Sequence, residues 1–584
     1  MTASARTPGA MWSDDRRPGT AVPAAALGAS TSDSATGGVG ATSAAETGAE
    51  VNARVRADAT SGGESIAGDL GRYLRRRRIR LLLAFLAGVL LAFGLPPYDI
   101  LPAIFAYSLF IPVLVIGDAW AKRPLLERAL LGAAFGFGYH LMGLWWVGAA
   151  FLVDADTFGV LLPFGVIGLP LLLCPFYALA AALTGLAPPS IAWRTVAFAI
   201  ALSFTDYLRG ILFTGFPWNT AGFGLSNATI LAQSAAVVGV NGLAIAAVLF
   251  GATPAILLFK TSRWLLVPTA AIFGVMLLFG LDRLSNAPVA AADTQRVRVV
   301  QPSIPQDQKW QTGRRDEIWQ TLLDLSKSDG GRPPDVVVWP ETSIPFLYRS
   351  PSLEATEVAE ALQWTATLVT GAVELAEGSD RQKVTNSILV VGPDGEVKQR
   401  YDKVHLVPFG EYVPFAGLLE QVGFRGFVEQ AGDFEAGEQR ESLIVPGLPK
   451  ALPLICYEVI FPSLRPGRDV AWIVNVTNDA WFGDTPGPRQ HLRQAQLRAI
   501  EEGLPVVRAA NNGISAVIDT EGRTVAELPL NARAAIDAQL PRVRSALYPA
   551  LGDRPLFVVW LLAIVAAGAW RLRRGAQREK KSAS

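Results

Sequence analysis

Long apolar runs fill one stretch of this chain and are missing from another. They crowd the region before Leu281 and return once after Arg554. The first, "LLLAFLAGVLLAFGLPPY", follows the basic "RRRRIR" that starts at Arg75. Further runs lie near 99–117, 129–152, 158–185, 193–215, 228–259 and 264–281, and a last one near 555–570. A bilayer crossing needs about 20 apolar residues, so the last run is short for one. Several runs are broken by Gly or Pro, so kinked spans are expected. With 51% hydrophobic residues and a mean hydropathy of +0.31, the chain reads as a membrane protein of eight helical spans.

The basic residues fix an orientation for that count. If Arg75–Arg78 lie in the cytoplasm, alternation puts Lys122, Arg123 and Arg128 on the same side. Arg194, then Lys260 and Arg263, and finally the tail "RLRRGAQREKK" follow them. The opposite side receives the short "DADT" link at 154–157 and the whole polar segment 282–554. Both termini are therefore expected inside and the large polar segment outside. The net charge of +1 gives no overall field for a nucleic acid partner.

Four regions result. Residues 1–74 form a low-complexity tail rich in Ala, Gly, Ser and Thr, expected to be disordered and lacking the apolar core of a signal peptide. Residues 75–281 carry seven spans. Residues 282–554 form an extracytoplasmic domain, and 555–584 a last span with a basic tail. In 282–554, strand-like runs at 297–304, 335–341, 366–374, 386–393, 452–458, 472–479 and 513–522 mingle with helical stretches at 312–327, 353–365 and 488–502. "GPDGEV" and "DTEGRTV" read as hairpin turns. Near-continuous apolar strands between helices imply a layered α/β domain.

The chain has two cysteines, Cys174 in an apolar run and Cys456 in the polar domain, and this separation argues against a disulfide between them. The three histidines, His140, His405 and His491, lack ligand spacing, so no metal site is expected. "VVVWPE" ends at Glu341 and "LPLICYE" carries Cys456 at its end. Between them "YDKVHLVPFGEYVPF" places Lys403 and Glu411 in a loop. Rigid strands aim such groups. Singly, each has a plain reading. A buried Cys is usually an inert small hydrophobe, and Glu and Lys usually face solvent.

Together, "WPET", "YDKVHLVPFGEY" and "CYE" in this order resemble the nitrilase superfamily, which uses a Glu-Lys-Cys triad on an αββα sandwich. With "FGLPPYDILPAIFAYSLFIPVLV", "GFPWNTAGFG", "VVQPSIPQDQKW", "NVTNDAWFGDTPGPRQHL" and "RAANNGISAVID", residues 80–575 resemble its membrane-embedded branch, the apolipoprotein N-acyltransferase family. The resemblance implies Cys456 as nucleophile, Glu341 as general base and Lys403 as stabiliser of thiolate and oxyanion. Glu411 and Glu458 would orient Lys403 and its loop. Tyr457 and Trp481 would line an acyl pocket, or simply pack. Trp310 and Asn386 match family positions near the site. His405, two residues from Lys403, is a rival for the base, although the resemblance gives that role to Glu341.

The chemistry is consistent with those roles. A free thiol with a pKa near 8.5 needs a base and a cation to react at neutral pH. The resemblance further implies a bacterial inner-membrane enzyme, monomeric and without cofactor. It would take an acyl chain from a phospholipid, phosphatidylethanolamine by implication. The acceptor would be the amine of a diacylglyceryl-cysteine apolipoprotein, in the last step of lipoprotein maturation. Each exposed CH₂ costs about 0.8 kcal/mol, so such a site belongs at the membrane surface. The aromatic loops 407–419 and 423–428 are candidates to dip into the headgroups. Two alternatives remain at this point. One is a membrane-tethered amidase that uses water as second nucleophile, although a small soluble amide would not call for spans. The other is a non-enzymatic lipoprotein-binding scaffold, against which the three residues together weigh.

Overall fold

A computed structural model describes residues 74–288, 294–327, 332–376, 383–414, 434–462, 464, 467 and 469–582, with side chains as far as 577. The expected tail up to residue 73 and the aromatic segments 415–419 and 423–428 lie outside the described residues.

The membrane part is built from α1 (Arg77–Ala92), α2 (Ala106–Trp120), α3 (Pro124–Leu144), α4 (Leu169–Leu183), α5 (Ile191–Ile211), α6 (Ala235–Gly251) and α7 (Leu266–Ser285). Seven helical stretches of the described chain are long and apolar enough to cross a membrane: 101–120, 124–152, 155–186, 191–214, 235–258, 260–285 and 554–577. The first expected span is the exception. Its helix stops at 16 residues, where Gly94, Pro96 and Pro97 follow. At 1.5 Å per residue that is about 24 Å, short of the hydrocarbon thickness of about 30 Å. The last span, in contrast, is longer than its apolar run, because the helix continues through the basic tail. The third long stretch is irregular, with a π-turn at Phe164–Gly168 before α4. Small residues let these helices touch. A Cβ on Gly88 would lie 2.0 Å from the Phe135 carbonyl, and one on Gly132 2.4 Å from that of Tyr177.

The basic segments meet at one end of this bundle. Arg80 pairs with Glu127 at 2.7 Å, and Arg128 and Arg194 both pair with Asp118. The opposite end carries the second domain. Two sheets face each other there. One has strand order β11-β1-β2-β3-β4-β5 and the other β10-β9-β8-β7-β6. The first holds β1 (Arg296–Gln301), β2 (Val336–Val338), β3 (Thr367–Leu375), β4 (Val384–Val391), β5 (Val397–Asp402) and β11 (Ala534–Gln539). The second holds β6 (Ala451–Ile455), β7 (Trp472–Thr477), β8 (Val506–Ala510), β9 (Ser515–Ile518) and β10 (Thr524–Leu528).

Alternation along the strands divides their side chains between two cores. Val297, Val299, Val336 and Val338 pack between the sheets against Ile455, Val474, Val476 and Val507. Val300, Val337 and Trp339 point outward against α8 (Arg315–Ser326) and α9 (Leu353–Ala361). Leu454, Ile473 and Val506 point the other way against α10 (Pro486–Glu502). The result is an αββα sandwich, as expected. Both hairpins close as expected, with Gly395 at φ +77° and Gly522 at φ +75°. Four strands, β5, β8, β10 and β11, are additions to the expected set. The last element is α11 (Arg554–Ser582).

Candidate active site

Three chain reversals of the sandwich bring the acid, the amine and the thiol together. Glu341 lies three residues beyond β2, past Trp339 and Pro340. Lys403 directly follows β5, and Cys456 directly follows β6 as the first residue of a 3₁₀ turn. Cys456 has φ +50° and Thr342, next to Glu341, has φ +46°. Non-glycine residues in that region are strained and are held there by their surroundings.

Lys403 is fully buried and spans two carboxylates. Its Nζ donates to Glu411 Oε1 at 2.8 Å and lies 3.4 Å from Glu341 Oε1. Asn386, on β4, donates its Nδ2 to the same two oxygens, at 2.7 Å for Glu341 and 2.8 Å for Glu411. Glu411 Oε2 accepts the Val407 N–H at 2.7 Å. Burial alone would lower the Lys403 pKa, but Glu411 and then Glu341 outweigh it and hold the amine well above its ordinary value. The Cys456 thiol is pushed well up, first by burial and then by the Glu341 carboxylate, while Lys403 pulls it back. The resting sulfur is thus a thiol. It needs a base, and the neighbouring carboxylate is the group it feels most.

Glu458 is fully buried and accepts from the N–H groups of Val404 (3.2 Å), His405 (3.1 Å) and Ile455 (2.9 Å). It therefore ties the segment after Lys403 to the strand before Cys456. Tyr457 turns its hydroxyl away, onto the Gly215 carbonyl of a membrane loop at 2.8 Å. Trp310 and Trp481 remain 53% and 42% exposed, so neither is a packed core ring. His405 lies tilted against Phe461 with ring centroids 3.9 Å apart. Burial, and next the Arg440 charge, lower its pKa to about 4, so it is neutral at pH 7 and a weak base. Cys174 and Cys456 are both free.

Two features escape a reading of sequence alone. Lys309 is buried beside Glu341, its Nζ donating to the Glu341 carbonyl at 3.0 Å and to Thr342 Oγ1 at 2.6 Å. Its one sequence signal is adjacency to Trp310. Helix α10 supplies His491, whose Nε2 donates to the Cys456 carbonyl at 3.2 Å. The other ring nitrogen of His491 meets Asp479 at 2.7 Å, and Arg508 holds Asp479 from behind at 2.7 Å.

Residues 296–550 match the carbon-nitrogen hydrolase family, and residues 87–253 match the apolipoprotein N-acyltransferase N-terminal domain. An apolipoprotein N-acyltransferase of Rhodopseudomonas palustris is 41% identical over 508 residues, covering 83% of this chain and 94% of that one. The chain belongs to the apolipoprotein N-acyltransferase family. A second member, from Brucella melitensis, is 42% identical over 504 residues, with 83% and 94% covered. A CN-hydrolase superfamily protein of Xanthomonas campestris aligns in structure with 20% identity and a TM-score of 0.31, over 45% of this chain and 96% of that one. The N-acyltransferase match extends across the bundle and the sandwich alike, so the acyltransferase name of the relatives applies to the two parts as a unit. The two family matches fall on the two parts described above, one on the helices and one on the sandwich.

Proposed function

We propose that this chain moves a fatty acyl chain from a phospholipid to the N-terminal amine of a diacylglyceryl-cysteine apolipoprotein, by way of a thioester on Cys456. The observation that carries the reading is the buried Glu341–Lys403–Glu411 array set against the Cys456 thiol. Glu341 takes the thiol proton, and the thiolate attacks the ester carbonyl. Lys403, together with a backbone N–H of the turn after Cys456, stabilises the oxyanion. The C–O bond breaks, Glu341 returns the proton to the leaving hydroxyl, and a lysophospholipid departs. The acceptor amine then attacks the thioester, losing a proton to Glu341, and the thiol is restored. Phosphatidylethanolamine is the proposed donor.

The basic end of the bundle is assigned to the cytoplasm and the sandwich to the outer side of a bacterial inner membrane, both termini inside. Tyr457 meets a membrane loop directly, which supports a site at the bilayer surface where an acyl chain need not cross water. The test is intact mass of the purified chain incubated with phosphatidylethanolamine in detergent. An acyl adduct is expected on the wild type and none on Cys456→Ala. Full transfer to a lipopeptide by Cys456→Ala would overturn the mechanism. Steady release of free fatty acid without an acceptor would favour an amidase-like hydrolase instead.

A further inference from the structure

Lys309 poses an electrostatic problem that its two hydrogen bonds do not solve. It is 4% exposed, and both of its acceptors, the Glu341 carbonyl and the Thr342 hydroxyl, are neutral. The Trp310 ring beside it is 6.0 Å away and adds little. A buried ammonium persists only where anions compensate it. The anions that face Lys309 come from two other elements: the Glu341 carboxylate after β2 and the sulfur of Cys456 after β6. Lys403 in turn bridges Glu341 to Glu411.

Counting charge over this cluster gives the lysine a purpose. With a thiol at Cys456, Glu341 and Glu411 balance Lys403 and Lys309. Moving the thiol proton to Glu341 breaks the S–H bond and forms a carboxyl O–H. The thiolate and Glu411 then balance the same two lysines. Without Lys309, both states carry an unbalanced negative charge in a buried site. The thiolate would share a single ammonium with Glu411, to which Lys403 is already bonded at 2.8 Å.

We propose that Lys309 belongs to the catalytic centre as a positioning residue: it holds the backbone that aims Glu341 and supplies the second positive charge that lets Cys456 give up its proton. The inference rests on the roles given above to Cys456 and Glu341. Burial brings the Lys309 pKa down to about 8, so its charge can be titrated in mild alkali.

The experiment follows single-turnover acylation of Cys456 from phosphatidylethanolamine by intact mass. It uses the full chain in detergent from about pH 6 to about pH 10. The wild-type rate falls above about pH 8 as Lys309 discharges. Lys309→Arg keeps its rate past that point, because a guanidinium stays charged. Lys309→Met is at least about tenfold slower at pH 7 and has no fall near pH 8, a loss that corresponds to about one unit of thiol pKa. Alkylation of Cys456 by iodoacetamide at pH 7, without lipid, slows by a similar factor in Lys309→Met. Profiles that superimpose for all three proteins would overturn the proposal. So would a Lys309→Met rate that is lower everywhere with the wild-type pH profile, since that marks a structural role only. Where Lys309→Met does not fold, the Lys309→Arg profile decides. If the wild type forms no thioester at any pH, the nucleophile reading fails. The alkylation comparison still reports on Lys309.

Discussion

Replacing Glu411 by Gln tests how the amine of the site is held. The carboxylate uses both oxygens: Oε1 accepts from Lys403 and Asn386 at 2.8 Å each, and Oε2 from the Val407 N–H at 2.7 Å. A glutamine has one acceptor and one donor to offer. With its oxygen toward Lys403, its amide N–H₂ meets the Val407 N–H. Flipped, it meets an ammonium and a second amide. At an effective dielectric of about 20, Lys403 attracts Glu411 at 2.8 Å by about 6 kcal/mol and Glu341 at 3.4 Å by about 5 kcal/mol, before desolvation. Glu411 thus takes the larger share of the ammonium and leaves Glu341 freer to accept a proton. In the variant, Lys403 loses Glu411 as a charged partner and turns its full attraction on Glu341. A hydrogen bond to a charged group is worth about 1.5–3 kcal/mol net, so Cys456 acylation should slow by roughly 10–150-fold. Loss of one partner of a buried pair also costs about 3–5 kcal/mol of stability. The assay is the single-turnover acylation rate, normalised to the folded fraction from a thermal melt in detergent. A rate within threefold of wild type, with an intact melt, would refute the argument that Glu411 keeps Lys403 off the base.

Three further outcomes follow from neighbouring contacts. His405→Phe should acylate Cys456 within about threefold of wild type, because the imidazole is neutral and packed against Phe461; a loss beyond about tenfold in a folded variant would make His405 the base. The same ring sets a pH dependence: its pKa is about 4 folded against 6.5 unfolded, so the unfolded chain binds the proton first. The stability tied to neutral His405 is therefore complete above about pH 6.5 and is lost as pH falls toward 4. Melts in detergent should show that loss in wild type and a shallower one in His405→Phe. Tyr457→Phe leaves the buried Gly215 carbonyl unpaired, so a destabilisation of about 1–3 kcal/mol is expected, and an unchanged melting temperature would count against the contact.

The apolar runs were legible because a bilayer demands length. The first of them runs past its helix, since its apolar character continues beyond the Gly-Pro-Pro break that follows 16 helical residues. Glu341, Lys403 and Cys456 were legible only as a set, since each alone reads as packing or solvation. The missing strands had specific disguises. "VKQRYD" of β5 is an edge strand with its first residues exposed. "VVRAA" of β8 has Arg508 in its middle, which looks like a break. That arginine is fully buried, and Asn475 and Asp479 accept from it at 2.5 and 2.7 Å. Lys309 was hidden by the general exposure of lysine, a rule that fails where carboxylates lie close by. Glu458 was legible as a helper, but its three backbone N–H partners needed coordinates.

Helix α10 explains why this sandwich needs this bundle. Gln490 Oε1 accepts from Trp146 (3.1 Å), Trp218 (3.0 Å) and Asn219 (3.1 Å), while its Nε2 donates to the carbonyls of Pro96 and Gly143 at 3.2 Å. One side chain thereby joins three parts of the bundle, including the "GFPWNTAGFG" segment. The residue after it, His491, holds the Cys456 carbonyl, and Arg498 on the same helix holds those of Val459 and Ile460. The strained turn that carries Cys456 is therefore held by a helix that also contacts the membrane part through Gln490. A backbone at φ +50° persists only if its surroundings impose it, and here part of that imposition comes from the bundle. Detaching the sandwich would remove those contacts and let the Cys456 turn relax. In this chain the membrane part thus helps to set the backbone at Cys456 through helix α10.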